Sequence, residues 1–398
     1  MDDNKTRLFI REHINDNVDM LALKNVPPDI DKTFVINQIA ARQILKRKIP
    51  SWAENEGLIF PQKISLEQCS SETTAKYKAT VIADDFSSKE MTNFADLTGG
   101  FGVDCSFLSK LFQKSYYVET QSYLCEIAEH NFKILNDNIE VVNASAYDFL
   151  QSTDKHFDLI FIDPARRDKI GRKMVSLHDC SPDIIDLQDI IFNKTNNTLL
   201  KASPMLDIDS ALHELHHVKE VHIIAIKNEC KELLFHIEKD FCGEPVFKCI
   251  DIPSMDKPFI FNRNEEKECT LSLADEIGSF IYEPSSALLK SGCFKLAAER
   301  FNLKELHINS HLYTSEKQNV DFPGRVLNVK KILHFDNKSC REIENEIQKC
   351  NIITRNFPLS PEELRKKLNI KDGGNIFVIG TTCKNNEKKL IVAEIPNR

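Results

Sequence analysis

The sequence predicts an α/β protein: a doubly wound, largely parallel sheet, preceded by a helical region and followed by a small α+β domain. Three observations carry this. From Phe94 onward, short apolar runs alternate with helical segments, which is the pattern of a parallel sheet with crossover helices. Runs such as DLIFID and VHIIAI are apolar almost without interruption, as strands covered on both faces must be. The length, 398 residues, exceeds one ordinary domain.

The elements follow in order. Residues 1–90 read as helix; between Asp31 and Lys48, Phe34, Ile36, Ile39, Ala40, Ile44 and Leu45 lie near helical spacing, and Pro50 ends the run. The cations of KRKIPSW (46–52) suit a helix C-terminus. Residues 91–270 form the sheet domain. FADL (94–97), SYYVE (115–119), IEVVNA (139–144), FDLIFID (157–163), TLLKAS (198–203) and VHIIAIK (221–227) read as strands. Helices are expected through Leu111, over Ser122–Leu135, and near 183–193 and 207–217. Asn228–Glu232 borders a cleft or caps a helix. The charged stretch near 265–280 marks a boundary, and residues 271–398 form the α+β domain. Helices are expected there near 285–301 and 360–368, the latter opened by Ser360-Pro361-Glu362-Glu363. Asp372-Gly373-Gly374 reads as a turn before the strand IFVIG (376–380).

Composition narrows the class. Hydrophobic residues make up 41% and charged residues 28%, as in globular proteins with a real core. No apolar run is long enough to span a bilayer, and the N-terminus lacks the basic and apolar segments of a signal peptide, so a cytoplasmic protein is expected. The twelve cysteines form no C-x-x-C pair and are read as free thiols, without a metal site or a disulfide framework. His213, His216 and His217 have helical spacing but no acid partner, so an exposed helix face is expected rather than a metal site. Net charge is −8, which disfavours a uniformly basic nucleic-acid binder. It is unevenly spread: residues 281–398 hold 20 Lys+Arg and 14 Asp+Glu, a balance of +6, which leaves −14 for the rest. Contact with a polyanion would run through the C-terminal part.

The chemistry centres on one glycine-rich turn. Asp96-x-Thr98-Gly99-Gly100-x-Gly102 ends a strand and opens a helix, where backbone can approach a ligand closely. Glu119 ends the next strand, suited to accept both hydroxyls of a ribose. Asn143 to Ser145 end the third strand, where an adenine edge would lie. The fourth strand runs into Asp163-Pro164-Ala165-Arg166. Strand ends beside a reversal of strand order are where open α/β sheets bind ligands.

The turn resembles the S-adenosylmethionine (SAM) loop D-x-G-x-G-x-G of class I methyltransferases, with Thr98 replacing its first glycine. Asp163-Pro-Ala-Arg166 resembles their (N/D)-P-P-x motif. The whole chain is similar to bacterial SAM-dependent methyltransferases with a C-terminal THUMP-like domain. SLEQCSSETTAKYKA (65–79), DLTGGFGVD (96–104), DPARR (163–167), NECKELL (228–234), IYEPSSALLKSG (281–292), FPGR (322–325), RNFP (355–358) and DGG (372–374) carry that similarity. The resemblance implies a Rossmann-like class I methyltransferase domain and a THUMP-like substrate domain. It implies SAM as cofactor, held by Asp96, Thr98, Gly99, Gly100, Gly102, Glu119, Asn143 and Ser145. It implies catalysis by Asp163, Pro164 and Arg166, substrate contacts by Arg167, Lys201, Arg325 and Arg355, and RNA as partner. Tyr282 and Phe357 are further candidates for stacking bases. Glu67–Glu72 reads either as a cofactor lid or as a hydroxyl-rich helix cap, and the resemblance favours the lid.

Three departures matter. No Asp stands at Ser145 to hold an adenine amine, which leaves Asn143 or the Tyr147 ring. Arg166 stands where N-methylating relatives carry an aromatic residue, and a guanidinium can stack on a base or hold a phosphate. Lys201-Ala202-Ser203-Pro204 offers no thiol where C5-methylating RNA enzymes place their nucleophile. The resemblance implies methylation of RNA, and a base nitrogen is the expected acceptor. Alternatives are methylation of a protein or small molecule, and a non-catalytic RNA-binding protein that senses SAM.

Overall fold

A computed structural model describes residues 4–86, 90–166 and 176–396, with Arg166 known by its backbone alone; the expected substrate residue Arg167 lies outside the described residues. The chain divides into two compact units, one of residues 1–219 and 234–242, the other of residues 220–233 and 243–398.

The first unit opens with six helices: α1 (Asn4–Glu12), α2 (Val18–Leu23), α3 (Lys32–Lys48), α4 (Pro50–Ala53), α5 (Lys63–Gln68) and α6 (Glu72–Asp85). Asp31 caps α3 by accepting the Phe34 N–H at 3.0 Å, and Pro50 starts α4 at the position where its missing N–H costs nothing. The sheet follows: β1 (Asn93–Asp96), β2 (Lys114–Glu119), β3 (Ile139–Asn143), β4 (Leu159–Ile162) and β5 (Asn197–Ala202). Their order is β3-β2-β1-β4-β5, with every neighbouring pair parallel. Strand order reverses between β1 and β4, which creates the switch point where such sheets bind ligands. Helices α7 (Val103–Ser109), α8 (Ser122–Leu135), α9 (Ala146–Ser152), α10 (Ile184–Phe192) and α11 (Ile208–Glu214) complete the crossovers. The turn after β1 is tied into the helical region. Phe101 is buried with Trp52 and Phe60, its ring 5.0 Å and 6.0 Å from theirs in edge-on contacts.

Strands β6 (Val218–Ile226) and β7 (Glu229–Glu238) form a hairpin through which the division between units passes. In the second unit, residues 220–226 pair in parallel with β8 (Val246–Ile252), and β8 pairs antiparallel with β9 (Phe259–Asn262). A second, seven-stranded sheet comprises β10 (Phe280–Pro284), β11 (Lys304–Glu305), β12 (Tyr313–Ser315), β13 (Gly324–His334), β14 (Lys349–Arg355), β15 (Lys371–Thr382) and β16 (Lys388–Glu394). Its order is β11-β12-β10-β13-β16-β15-β14, antiparallel except for β14 on β15. Helices α12 (Arg263–Glu268), α13 (Ser286–Ser291), α14 (Lys295–Arg300), α15 (Asn337–Glu346) and α16 (Pro361–Leu368) belong with it. Ser360 and Glu363 cap α16 reciprocally.

Four local expectations need correction. Asn228 opens no helix of its own: with Lys227 it makes a two-residue hairpin turn, both at positive φ (63° and 52°), and its side chain accepts the Ser286 N–H at the start of a later helix at 2.8 Å. Asp372-Gly373-Gly374 is no turn between elements but lies inside β15, where the register with β14 jumps from Asp372 to Phe377. The helix expected near 285–301 is two short helices, broken by Gly292 at φ 74°. Of the three clustered histidines, only His213 lies in α11; the helix ends at Glu214 and His217 takes φ 61°. All twelve cysteines are free; eight are buried, Cys69, Cys230 and Cys383 are half-buried, and Cys242 is exposed. Among the described residues no helix is long and apolar enough to cross a membrane.

Candidate active site

The ends of β1, β2 and β4 converge on the glycine turn. Asp96 closes β1 fully buried, and its carboxylate accepts the Thr98 N–H at 3.0 Å. Burial pushes this carboxyl well above the usual range; the Thr98 N–H opposes the shift, while Asp104 and Asp163 add to it. The Thr98 hydroxyl then accepts the Asp163 backbone N–H at 2.6 Å, which joins the turn to the end of β4. Here the threonine does what a glycine at that position could not.

Close approach explains two of the glycines. A Cβ on Gly99 would lie 2.2 Å from the ring of buried Tyr117, and Gly102, at φ 85°, would place one 2.8 Å from Phe132. Tyr117 donates its hydroxyl hydrogen to the Gly100 carbonyl and so holds the turn against β2. On Gly100 a Cβ would meet nothing nearer than 3.8 Å, so the backbone there faces open space. Its N–H donates to Glu119 at 3.0 Å; the other Glu119 oxygen accepts the Gln121 N–H at 2.8 Å. Asn143 donates to the Glu119 and Thr120 carbonyls at 2.8 and 3.0 Å and fixes the ends of β2 and β3 together. Ser145 caps α9 and bonds Asp148, with the exposed Tyr147 ring beside it. An open glycine backbone and a half-buried carboxylate at adjacent strand ends are the donor set that a nucleoside with vicinal hydroxyls requires. The residues present therefore fit the SAM expected from the sequence.

On the other side of the turn lies a chain of charges in which the sequence singles out Lys201 and Asp163 but not Lys78. Lys78 of α6 is fully buried and sits 3.2 Å from Asp104, the second residue of α7. The Ser70 hydroxyl donates to Asp104 at 2.6 Å. Lys201, at the end of β5, lies 3.7 Å from Asp104 and makes a close hydrogen-bonded ion pair with Asp163. Burial would raise the Asp104 carboxyl, but the two ammonium groups and Ser70 outweigh it and hold it below the usual range. A signal for Lys78 did exist: Thr74, Ala75, Lys78, Val81 and Ile82 share one inward face of α6, so a lysine stands at an apolar position. Within the Glu67–Glu72 stretch Ser71 caps α6, accepting the Thr74 N–H at 3.2 Å. Nearby, Lys48 donates to the Leu66 and Glu67 carbonyls at 2.7 and 2.6 Å.

In the second unit Arg325 and Arg355 converge on one carboxylate: buried Glu283 accepts from each at 3.1 Å. Both arginine side chains stay about one-third exposed, and Arg325 lies over the Phe377 ring at 4.8 Å. Tyr282 is wholly buried, its hydroxyl bonded to the Lys317 carbonyl, so it has no face to offer a base. Phe357, half-buried, packs beside Phe335 against the core of this unit.

Two family models match the second unit: a ferredoxin-like domain over residues 280–323 and a THUMP domain-like family over residues 324–394. A solved structure of a putative methyltransferase from Porphyromonas gingivalis W83 shares 33% identity; the likeness covers 100% of both chains with a TM-score of 0.87. An rRNA methylase from Streptococcus thermophilus matches 43% of this chain and 98% of its own at 13% identity and a TM-score of 0.31. TrmK of M. capricolum, in complex with S-adenosylhomocysteine, matches 42% of this chain and 69% of its own at 14% identity and a TM-score of 0.32. At those scores the last two bear no weight on function. No curated protein matches the chain.

Proposed function

The chain belongs to the family of the Porphyromonas gingivalis protein, methyltransferases with a THUMP-like C-terminal domain, and from that premise we propose that it transfers a methyl group from SAM to a base nitrogen in RNA. The observation that carries the reading is the convergence of Gly100, Glu119 and Asp163 on one switch point, with the backbone of the acceptor residue Asp163 fixed to the cofactor turn through Thr98.

Bound SAM supplies an electrophilic methyl group on a sulfonium. The protein's own part is to hold and aim. Glu119 receives the ribose hydroxyls, and the open backbone at Gly100 lets the cofactor approach. Asp163 and the Pro164 carbonyl are both acceptors, so they recognise an amine that offers N–H groups and turn its lone pair toward the methyl. Positioning of this kind can supply about 7–11 kcal/mol of the barrier. With no thiol at Lys201–Pro204, covalent attack on a pyrimidine ring is not part of the scheme. RNA as substrate is supported by the THUMP-like match and by the cationic balance of residues 281–398.

Calorimetric titration with SAM and with S-adenosylhomocysteine tests the cofactor. Micromolar binding to the wild type, lost in Asp96→Ala and Glu119→Ala, is expected. Folded protein that binds neither ligand would overturn the reading.

A further inference from the structure

The charges Lys78, Asp104, Lys201 and Asp163 alternate in sign along one chain, from fully buried Lys78 to Asp163, whose side chain is 35% exposed. Two cations and two anions make the set neutral. Burying such a set is costly, and apolar residues of similar volume would hold the fold together as well or better. Its order therefore calls for another explanation. The exposed end is Asp163, the acceptor at the switch point, and the remainder lies behind it. Lys201 occupies only Oδ2 of Asp163, while Thr98 holds the backbone N–H of the same residue. The residue is thus held at two points, one on its carboxylate and one on its backbone, and Oδ1 accepts no hydrogen bond among the described residues. Lys201 is itself held from behind, because Asp104 is anchored by Lys78 and Ser70.

We infer that Lys201 is a positioning residue rather than a substrate contact: braced by Asp104 and Lys78, it locks the Asp163 carboxylate in the one orientation that presents Oδ1 to the amine being methylated. The inference rests on the proposed methyltransferase reading and adds what fixes its acceptor. It explains why a lysine, with a compact charge on a flexible stem, stands at the end of β5. It also explains why Asp104 is buried and ionised while its neighbour Asp96, with no cation at hydrogen-bond distance among the described residues, is pushed the other way.

A double-mutant cycle tests this. Transfer of tritium-labelled methyl from SAM to total RNA from cells lacking this protein would be measured for wild type, Lys201→Met, Asp163→Ala and the pair. Lys201→Met should lower kcat about 10²-fold, the cost of misplacing a reacting group by an ångström. Its affinity for S-adenosylhomocysteine should stay at the wild-type value, which also shows that it folds; Lys201→Gln replaces it if the methionine variant does not. Lys201→Arg should recover most of the activity. In the Asp163→Ala background, Lys201→Met should cost nothing more, since it acts only through that carboxylate. Losses that multiply, or an unchanged kcat in Lys201→Met, would overturn the inference. Crystal structures of wild type and Lys201→Met give a readout free of activity. Asp163 should leave its wild-type rotamer in the variant, and an unmoved Asp163 would sink the positioning role. Wild-type protein that binds S-adenosylhomocysteine but methylates none of this RNA would instead count against the RNA reading, with the structural comparison still deciding on Lys201.

Discussion

A carboxyl group at the bottom of a cofactor site need not be ionised, and Asp96 shows why. Its folded-state pKa is raised by burial, so any stability tied to it is fully present below its unfolded value near 3.8 and is lost as pH rises toward the folded value. Asp96→Asn keeps an acceptor for the Thr98 N–H and removes the titration. Its melting temperature should match wild type near the unfolded value and exceed it increasingly as pH rises above that. A gap that does not change with pH would refute this account. Asp104, held low by Lys78 and Lys201, has the opposite slope: its contribution is present above the unfolded value and is lost as pH falls through the folded one. Asp96, the glycines and Asp163 were legible in the sequence because each belongs to a short contiguous signature. Lys78 was not, because lysine is read as a solvent-facing residue and its partner is brought to it only by packing of α6 on α7. The Lys201–Asp163 pair hid for the same reason: its partners end two neighbouring strands, β4 and β5, that are far apart along the chain.

Among elements, the turn between β1 and α7 is set by what lies under it. Gly99 packs on the Tyr117 ring from β2, and the ring is itself buried and bonded to Gly100, so it cannot swing aside. Gly99→Ala should therefore destabilise by about 1–3 kcal/mol, as overpacking does, and should weaken S-adenosylhomocysteine binding together with stability. Chemical denaturation and calorimetry would show it; a neutral substitution would mean that the turn is more pliant than its packing indicates. The five parallel strands were readable because apolar runs between helical segments leave few alternatives. The β6–β7 hairpin was missed because Lys227-Asn228 lacks the glycine that usually marks such turns. Gly373-Gly374 misled in the other direction: paired glycines read as a turn, yet here they let one strand carry an irregularity in its register.

Across the molecule, charge is divided along the chain, with +6 over residues 281–398 against −14 before them. If RNA is the substrate, affinity should fall steeply with salt, and Arg325→Ala and Arg355→Ala should each weaken binding to total RNA. Each should also flatten the dependence of log affinity on log salt by about 0.7 for every phosphate that is no longer neutralised. Unchanged slopes in both variants would leave the arginine pair as an internal brace around Glu283. The composition directs any polyanion contact to the C-terminal part but does not show that the two arginines share a carboxylate, since Glu283 lies on another strand. The distribution of thiols has a practical side. Of twelve cysteines only Cys242 stands exposed, while burial raises the thiols of Cys69, Cys105, Cys249, Cys293 and Cys350 above their ordinary range. A maleimide dye added at one equivalent would thus mark a single defined position, which gives fluorescence work a built-in reporter without a cysteine-free background.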